Sequence, residues 1–295
     1  MDMKTLVMRL TGAYLNTLAR VTPARAASKA LNLFCFPIRP RVKPRHKAFF
    51  DGSEKFRFSY GNTELQGYRW GEGKRKILFI HGWQSNTFRW KPYVQKLLKE
   101  DVTLYAFDAP GHGLSEGNFL SVPLYSDVIE QFIETHGTMD AVVAHSIGSF
   151  SILHALYKNA SLPVEKLVLL APPGEAADFI AHFSGLLKLT PRTTELAVRE
   201  FERVFGVPVS FYSTTRFATR VNRPGLIIHD KQDAQTPIHY ARSIHGVWKS
   251  SQLVETDGLG HNLRSSDVAD MVCDFLIESE DLNPVRKLYT RQLNV

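Results

Sequence analysis

The sequence predicts an α/β protein with one mostly parallel, eight-stranded sheet and helices on both of its faces. From about Phe49 onward, short β-rich runs alternate with longer amphipathic segments, which is the pattern of strands joined by crossover helices. Most of these runs are almost continuously apolar, as expected for strands that are buried on both faces. With 295 residues, of which 44% are hydrophobic, the chain can bury one large core.

The sheet is predicted to begin with an antiparallel hairpin. Residues 56–60 alternate aromatic and polar side chains with a period of two, and residues 65–70 follow across the turn Gly61-Asn62. The six central strands are expected at 77–80, 103–107, 141–144, 167–170, 226–228 and 253–255. Helices are expected at about 88–99, 122–136, 147–158, 237–247 and 265–279.

A helical cap is predicted between the strands that end at Leu170 and begin at Leu226, because roughly fifty residues are too many for a bare crossover. Its apolar residues fall at helical spacing: Phe179, Phe183, Leu186, Leu187, Leu189, Val198, Phe201, Val204 and Phe205. The predicted domains are therefore a leader (1–48), a core (49–171 and 222–295) and a cap (172–221). Phe179 and Phe183 are expected to contact an apolar group of a substrate or only to pack the cap onto the core, and both can hold at once. Trp83 is also expected to line this pocket.

The net charge of +7 is concentrated in the leader. Residues 1–47 contain ten Lys and Arg residues but only one acid, Asp2, so the local charge is +9 and the remaining residues carry −2. Apolar residues recur at helical spacing in this segment: Leu6, Val7, Leu10, Tyr14 and Leu18. Such a helix suits weak contact with an anionic membrane or a partner. The preferred interpretation is that the stripe packs on the body while the cations face water. Nucleic-acid binding is not expected, since no basic surface with stacking aromatics recurs downstream.

The cysteine content predicts a reducing compartment. Cys35 and Cys273 are far apart in sequence and suggest neither a disulfide framework nor a cluster of metal ligands. Residues 1–20 are interrupted by polar residues and resemble neither a signal peptide nor a membrane span. We therefore expect a cytoplasmic protein, and the sequence gives no sign of its oligomeric state.

A serine between small residues is the main candidate for chemistry. The apolar run 141–145 stops at Ser146, which has Ala144 two residues before it and Gly148 two residues after it. Small residues at these places are typical of a nucleophile elbow, a tight strand-to-helix turn that presents one hydroxyl above the sheet. The alternative is an ordinary serine that caps the following helix.

Two further loops follow neighbouring strands. His81-Gly82-Trp83-Gln84 follows the strand at 77–80, and its turn can aim the Trp83 amide into the cleft, where that amide and the amide of Ile147 would hold an oxyanion. The loop 107–115 is glycine-rich but has no lysine at phosphate-binding spacing, so it is not a P-loop. Asp108 and His112 in that loop are interpreted as hydrogen-bonded scaffold.

These three motifs, H-G-W, D-x-P-G-H-G-x-S and A-H-S-x-G, resemble together the α/β-hydrolase superfamily over about residues 50–280. The resemblance implies a catalytic triad in the chain order Ser, acid, His, with each member after a strand. Asp233, four residues before Pro237, fits the acid better than Asp230, which falls at a turn position. His261, in the glycine-rich loop after the last strand, fits the base.

The resemblance predicts a serine hydrolase that cleaves a carboxylic ester or thioester through an acyl-enzyme. Acyl transfer by such a triad needs no cofactor or metal, and none is expected. Carbon-carbon bond hydrolases, acyltransferases and aminopeptidase-like enzymes share the scaffold and stay open as alternatives. A ligand-binding protein with little turnover is the alternative outside enzymes.

Overall fold

The computed structural model describes residues 3–40 and 42–277. Residues 1, 2, 41 and 278–295 of the predicted leader and core lie outside the described residues. The strands are β1 (Glu54–Tyr60), β2 (Thr63–Trp70), β3 (Arg75–Ile80), β4 (Val102–Phe107), β5 (Met139–His145), β6 (Val164–Leu170), β7 (Gly225–Asp230) and β8 (Ser251–Thr256).

All eight strands join one sheet in the order β1-β2-β4-β3-β5-β6-β7-β8. Strand β2 runs opposite to both of its neighbours, whereas β4, β3 and the strands from β5 to β8 are parallel. The predicted fold class is confirmed, including the antiparallel hairpin at the start. Because the parallel strands share one direction, the loops after β3, β4, β5, β7 and β8 meet at the same edge of the sheet.

Helices cover both faces of this sheet. They are α1 (Met3–Val21), α2 (Pro23–Phe34), α3 (Lys47–Asp51), α4 (Lys91–Leu97), α5 (Val122–His136), α6 (Ile147–Lys158), α7 (Ala176–Leu187), α8 (Pro191–Phe205), α9 (Thr214–Ala218), α10 (His239–Val247) and α11 (Ser266–Ile277). Helices α5, α6 and α10 share one apolar layer with the sheet, and α4 and α11 share the other. Burial of these two layers is the main source of stability.

The N-terminal helices pack on helices that lie far along the chain. Helix α2 lies against α8, and α1 contacts both α7 and α8. Ser28 of α2 donates a 2.6 Å hydrogen bond to the carboxylate of Glu200 in α8. The predicted leader therefore packs on the segment that was predicted to be a cap. The boundaries assigned to the leader, core and cap stay predictions.

The preferred interpretation, that the apolar stripe on α1 packs on the body, is wrong for all of its residues except the half-buried Leu18. Leu6, Val7, Leu10 and Tyr14 are exposed, while the face with Leu15 and Ala19 is buried. The buried face contains the small residues, and small side chains allow two backbones to approach closely. At Gly12, a Cβ atom would lie only 1.7 Å from the carbonyl oxygen of Leu187 in α7. Larger apolar side chains do not fit that contact, so they point away from it.

Candidate active site

Ser146 lies at a strained turn between β5 and α6. Its backbone has φ 53° and ψ −124°, a region that residues with a side chain rarely adopt. The backbone N–H of Ser146 donates to the carbonyl of Leu170 at 3.0 Å, which holds the turn against β6. This strained strand-to-helix turn is the geometry expected of a nucleophile elbow.

Small residues around Ser146 are required by close contacts. A Cβ atom at Gly148 would lie 2.7 Å from the carbonyl oxygen of Ile80, so α6 packs directly on the end of β3. Ala144 is fully buried, and its carbonyl accepts a 3.0 Å hydrogen bond from the Ser149 hydroxyl. The elbow thus accommodates the methyl group of Ala144, where the usual motif has glycine.

Three of the predicted residues form one hydrogen-bonded series. His261 Nε2 lies 3.0 Å from Ser146 Oγ, and His261 Nδ1 lies 2.8 Å from Asp233 Oδ2. Asp233 follows β7, and His261 follows β8, so both side chains reach Ser146 from the same edge of the sheet. The arrangement places a base beside the hydroxyl and an acceptor behind the base, which is the geometry that activates a serine.

Asp233 is held as a carboxylate by its surroundings. Burial alone would raise its pKa, but hydrogen bonds from His229, His261 and Thr236 hold that pKa well below its usual range. The backbone N–H groups of Gln235 and Thr236 donate to Oδ1 at 2.8 and 3.0 Å, and the Thr236 hydroxyl donates to Oδ2 at 2.7 Å. Asp233 can therefore accept a hydrogen bond from the Nδ1–H group of His261 and remain ionised.

Separate contacts hold the loop that carries His261. Asp230 accepts hydrogen bonds from Leu259 N–H at 2.9 Å and from the Thr256 hydroxyl at 2.8 Å, which fits the turn position predicted for it. His145 Nε2 lies 2.9 Å from the carbonyl oxygen of His261, which fixes the base relative to β5. Burial lowers the pKa of His145 far below its usual value, so this imidazole stays neutral and acts as a donor.

The loop after β3 lies directly against the elbow. A Cβ atom at Gly82 would come within 3.0 Å of Ser146 Cβ and 2.7 Å of His145 Nδ1. Trp83 follows Gly82, and Ile147 is the first residue of α6, where backbone N–H groups lack partners within the helix. Both amides lie next to the Ser146 turn in sequence or in space, and their oxyanion role stays a prediction.

His81 and Asp108, at the same edge, are hydrogen-bonded mainly to backbone groups. Asp108 accepts from Thr87 N–H and Leu114 N–H, each at 2.9 Å, and from the Tyr68 hydroxyl at 3.0 Å. His81 Nε2 accepts from Ala109 N–H at 3.0 Å, and His81 Nδ1 lies 2.8 Å from the carbonyl oxygen of Gly82.

His112 makes the same pair of contacts. Its Nε2 accepts from Gln84 N–H at 3.0 Å, and its Nδ1 lies 3.0 Å from the carbonyl oxygen of Pro110. Burial lowers the pKa of His81 to about 4, and burial together with the nearby His81 lowers that of His112 to about 3. These hydrogen bonds agree with the prediction that Asp108 and His112 are scaffold.

The residues predicted to contact substrate lie in two places. Trp83 is partly buried, with its ring edge-on to His112 at 5.7 Å between centroids. Phe179 packs on the core, whereas Phe183 packs against Phe34 of α2 at 5.4 Å. Phe183 also lines a small apolar crevice between α2, α7 and α8. The described contacts do not bring Phe183 to Ser146, and substrate contact by these three residues stays a prediction.

Three contributors to the site were not predicted from the sequence. Thr236, His229 and His145 gain their roles from contacts with Asp233 and with the His261 backbone, and no spacing in the sequence marks such contacts. Only Thr236 has a local signal, because it lies in the turn just before Pro237.

Within residues 3–40 and 42–277, no group of three or more His, Cys, Asp and Glu side chains has a geometry that would hold a metal ion.

Comparison with known proteins shows the family of this chain. Residues 77–293 match the profile of the Alpha/beta hydrolase family. A curated relative from Danio rerio, named serine hydrolase-like protein, is 29% identical over 165 residues, which is 52% of this chain and 49% of that protein. This chain therefore spans about half the length of the curated relative.

Solved structures share the fold. An esterase from Pyrococcus furiosus is 18% identical with a TM-score of 0.62, and the match covers 82% of this chain and 95% of that one. The thioesterase domain of the curacin biosynthetic pathway is 14% identical with a TM-score of 0.58, and the match covers 77% of this chain and 99% of that one. At these identities the likeness shows the architecture alone.

Proposed function

The chain belongs to the alpha/beta hydrolase family, and from that membership we propose that it is a serine hydrolase that cleaves a carboxylic ester or thioester. The proposal rests mainly on the continuous contact from Asp233 Oδ2 through His261 to Ser146 Oγ, with distances of 2.8 and 3.0 Å. A helix-capping serine, the alternative for Ser146, would need no imidazole at that distance. The Ser146 side chain accordingly makes no cap hydrogen bond to α6.

In the first half of the reaction, Ser146 Oγ forms a bond to the carbonyl carbon while its proton passes to His261 Nε2. The carboxylate of Asp233 keeps the Nδ1 proton of His261 in place and stabilises the imidazolium. The backbone N–H groups of Trp83 and Ile147 donate to the carbonyl oxygen as it becomes negative. The imidazolium then gives its proton to the leaving alcohol or thiol as the bond to the leaving group breaks.

The second half returns the enzyme to its starting state. Water loses a proton to His261 Nε2 as its oxygen attacks the acyl carbon bound to Ser146 Oγ. Collapse of the second tetrahedral intermediate releases the acid and returns the proton to Ser146. This cycle uses only the five residues already named and needs no group that changes redox state.

The comparisons support the choice of bond. The curated relative is named a serine hydrolase-like protein, and an esterase and a thioesterase share this fold. We propose that Trp83, Phe179 and Phe183 contact an apolar acyl or alcohol group, as expected from their apolar rings. The predicted cytoplasmic location is kept in the proposal, supported by the two unpaired, buried thiols of Cys35 and Cys273.

A fluorophosphonate probe tests the proposal directly, because it reacts with an activated serine whatever the natural substrate is. We expect wild type to be labelled and Ser146→Ala to remain unlabelled. Ser149→Ala is the matched control, since its hydroxyl lies three residues away and bonds only to the Ala144 carbonyl. That variant should fold and be labelled.

Hydrolysis of p-nitrophenyl esters and of thioesters with matched acyl chains then shows which of the two bonds the enzyme cleaves. Longer chains should be cleaved with higher kcat/KM if the pocket is apolar. Absence of labelling together with absence of turnover in a folded wild-type protein would mean a ligand-binding protein. Labelling without ester or thioester turnover would favour the carbon-carbon bond hydrolases, acyltransferases or aminopeptidase-like enzymes.

A further inference from the structure

The first helix presents an apolar face to solvent. We define the α1 stripe as the exposed apolar residues of α1 that share this face: Met3, Leu6, Val7, Leu10, Tyr14 and Val21. Their exposed fractions range from 37% for Leu6 to 75% for Met3. The spacings of three, four and seven residues put them on one side of the helix. Phe36 and Ile38, just after α2, add further exposed apolar surface at 47% and 67%.

The opposite face of α1 is fixed to the protein. Leu15 and Ala19 are buried there, and Gly12 contacts the backbone of Leu187. The Asn16 side chain closes this contact, because its Nδ2 donates to the Lys188 carbonyl at 3.0 Å and its Oδ1 accepts from Thr190 N–H at 2.9 Å. The helix is therefore anchored by its small residues, and the α1 stripe points outward.

Exposed cations accompany the α1 stripe on α1 and α2. Arg9, Arg20, Arg25 and Lys29 are exposed, and Lys29 Nζ lies 5.9 Å from the centre of the Tyr14 ring. Among the described residues, no salt bridge joins a Lys or Arg before residue 48 to a carboxylate. Anions supplied from outside the chain can approach these exposed charges.

We propose that α1 lies in the interface of an anionic lipid bilayer, with the α1 stripe at the level of the headgroups and the upper acyl chains. A bilayer of this kind supplies both an apolar layer and negative charge over a wide area, which matches the two features of the helix. A second copy of the chain would bring another segment with ten cations and one acid against the first, and the two would repel.

The helix lies on the bilayer rather than across it. No helix within residues 3–40 and 42–277 is both long enough and apolar enough to cross a membrane. Binding of this in-plane kind combines burial of apolar side chains with attraction between cations and anionic lipids, so it weakens when either part is removed. Because α1 packs on α7 and α8, docking holds these two helices close to the lipid surface.

The test is flotation of the full chain with phosphatidylcholine vesicles that contain or lack phosphatidylserine. We expect wild type to float with the anionic vesicles and to be released by high salt. The double variant Val7→Ser, Leu10→Ser should weaken binding on the order of tenfold for each side chain. The variant Arg9→Glu, Arg20→Glu should weaken it by about fivefold or more for each cation.

Matched controls distinguish binding through the α1 stripe from nonspecific binding by the rest of the surface. Leu114→Ser removes a leucine of the body that is 45% exposed, and Lys99→Glu reverses one charge elsewhere on the surface, as each substitution of the charge variant does. Both should bind like wild type. All of these positions are exposed, so folding should be unaffected, which circular dichroism and thermal unfolding check.

Any one of four results would overturn the proposal. If wild type failed to float, or if a stripe variant floated like wild type, lipid would not be the partner of the α1 stripe. A wild-type dimer in light scattering that Val7→Ser, Leu10→Ser dissociates would assign the stripe to a second copy. Flotation only after removal of residues 278–295 would show that this segment covers the stripe.

Discussion

Two groups of polar residues lie at the same edge of the sheet and differ in almost every contact. The scaffold group, His81, Asp108 and His112, is fully buried and bonded mainly to backbone. The other group, Ser146, Asp233 and His261, is bonded from side chain to side chain, and we call it the reactive group because we propose that it carries the chemistry. Both groups contain histidine and aspartate beside glycine-rich loops. Residue type therefore does not decide which group can do chemistry.

The difference lies in whether Nε2 of each imidazole already accepts a hydrogen bond from the backbone. In the scaffold group, Nε2 of each histidine already accepts a backbone N–H, so it has no lone pair for a substrate proton. In the reactive group, His261 Nε2 faces a hydroxyl that can give up its proton. A histidine in this fold becomes a base when its backbone neighbours leave one nitrogen unoccupied.

The largest effect should come from removing the acid of the reactive group. In Asp233→Asn, the new amide N–H would face His261 Nδ1 and force the proton onto Nε2, where it blocks the base. We expect kcat to fall on the order of ten-thousand-fold, with KM little changed. Stopped-flow or steady-state hydrolysis of an activated ester measures this loss. A loss of less than about tenfold would place the catalytic acid elsewhere.

A smaller effect, on folding rather than on turnover, should follow from Asp108→Asn. The amide group would replace one accepting oxygen with a donor and leave Leu114 N–H without an acceptor. We expect the free energy of unfolding to fall by about 1–3 kcal/mol. Urea denaturation measures this change, and kcat/KM of the folded fraction should stay within about tenfold of wild type. A collapse of activity in a stable Asp108→Asn protein would erase the distinction between the groups.

An effect of similar size to that of Asp108→Asn, but seen only when the pH is lowered, should appear as a pH dependence of stability. The folded-state pKa values of His81 and His112, about 4 and about 3, lie below the ordinary value of 6.5. As pH falls below 6.5 the unfolded chain therefore binds protons first, and stability is lost. His112→Gln cannot titrate, so it should lose about 2 kcal/mol less than wild type between about pH 7 and about pH 5.

Urea midpoints at the two pH values measure this slope. Equal slopes for wild type and His112→Gln would mean that this buried imidazole does not titrate differently in the folded state. In that case, neutral buried histidines would not distinguish the scaffold group from the reactive group.

The sequence was sufficient to predict the sheet, and its resemblance to the α/β-hydrolase superfamily pointed to the three residues that the structure brings together. Ser146, Asp233 and His261 each follow an apolar strand, and the ends of parallel strands must meet. The sequence could not reveal His145 as the support of His261, because that contact is made to a backbone carbonyl more than a hundred residues away. Backbone acceptors carry no mark in the sequence.

The interpretation of α1 failed for a different physical reason. Both sides of this helix are apolar, and hydrophobicity favours the side with Leu6, Val7 and Leu10 as the buried one. Close helix packing instead selected the side with Gly12 and Ala19, where the contact is between backbones. Phe183 similarly faces α2, since helical spacing shows that a residue is apolar but not which neighbour it meets.

Because α1 and α2 pack on α7 and α8, they are synthesised long before the helices that cover them. Asn16 and Ser28 each find their partners, Lys188 and Glu200, 172 residues further along the chain. At ribosomal rates of about 5–20 residues per second, the first two helices are without those partners for roughly ten to thirty-five seconds. Through that interval the buried face of α1 is as accessible as the α1 stripe, so the nascent chain presents a helix that is apolar on both sides to chaperones and to other nascent chains.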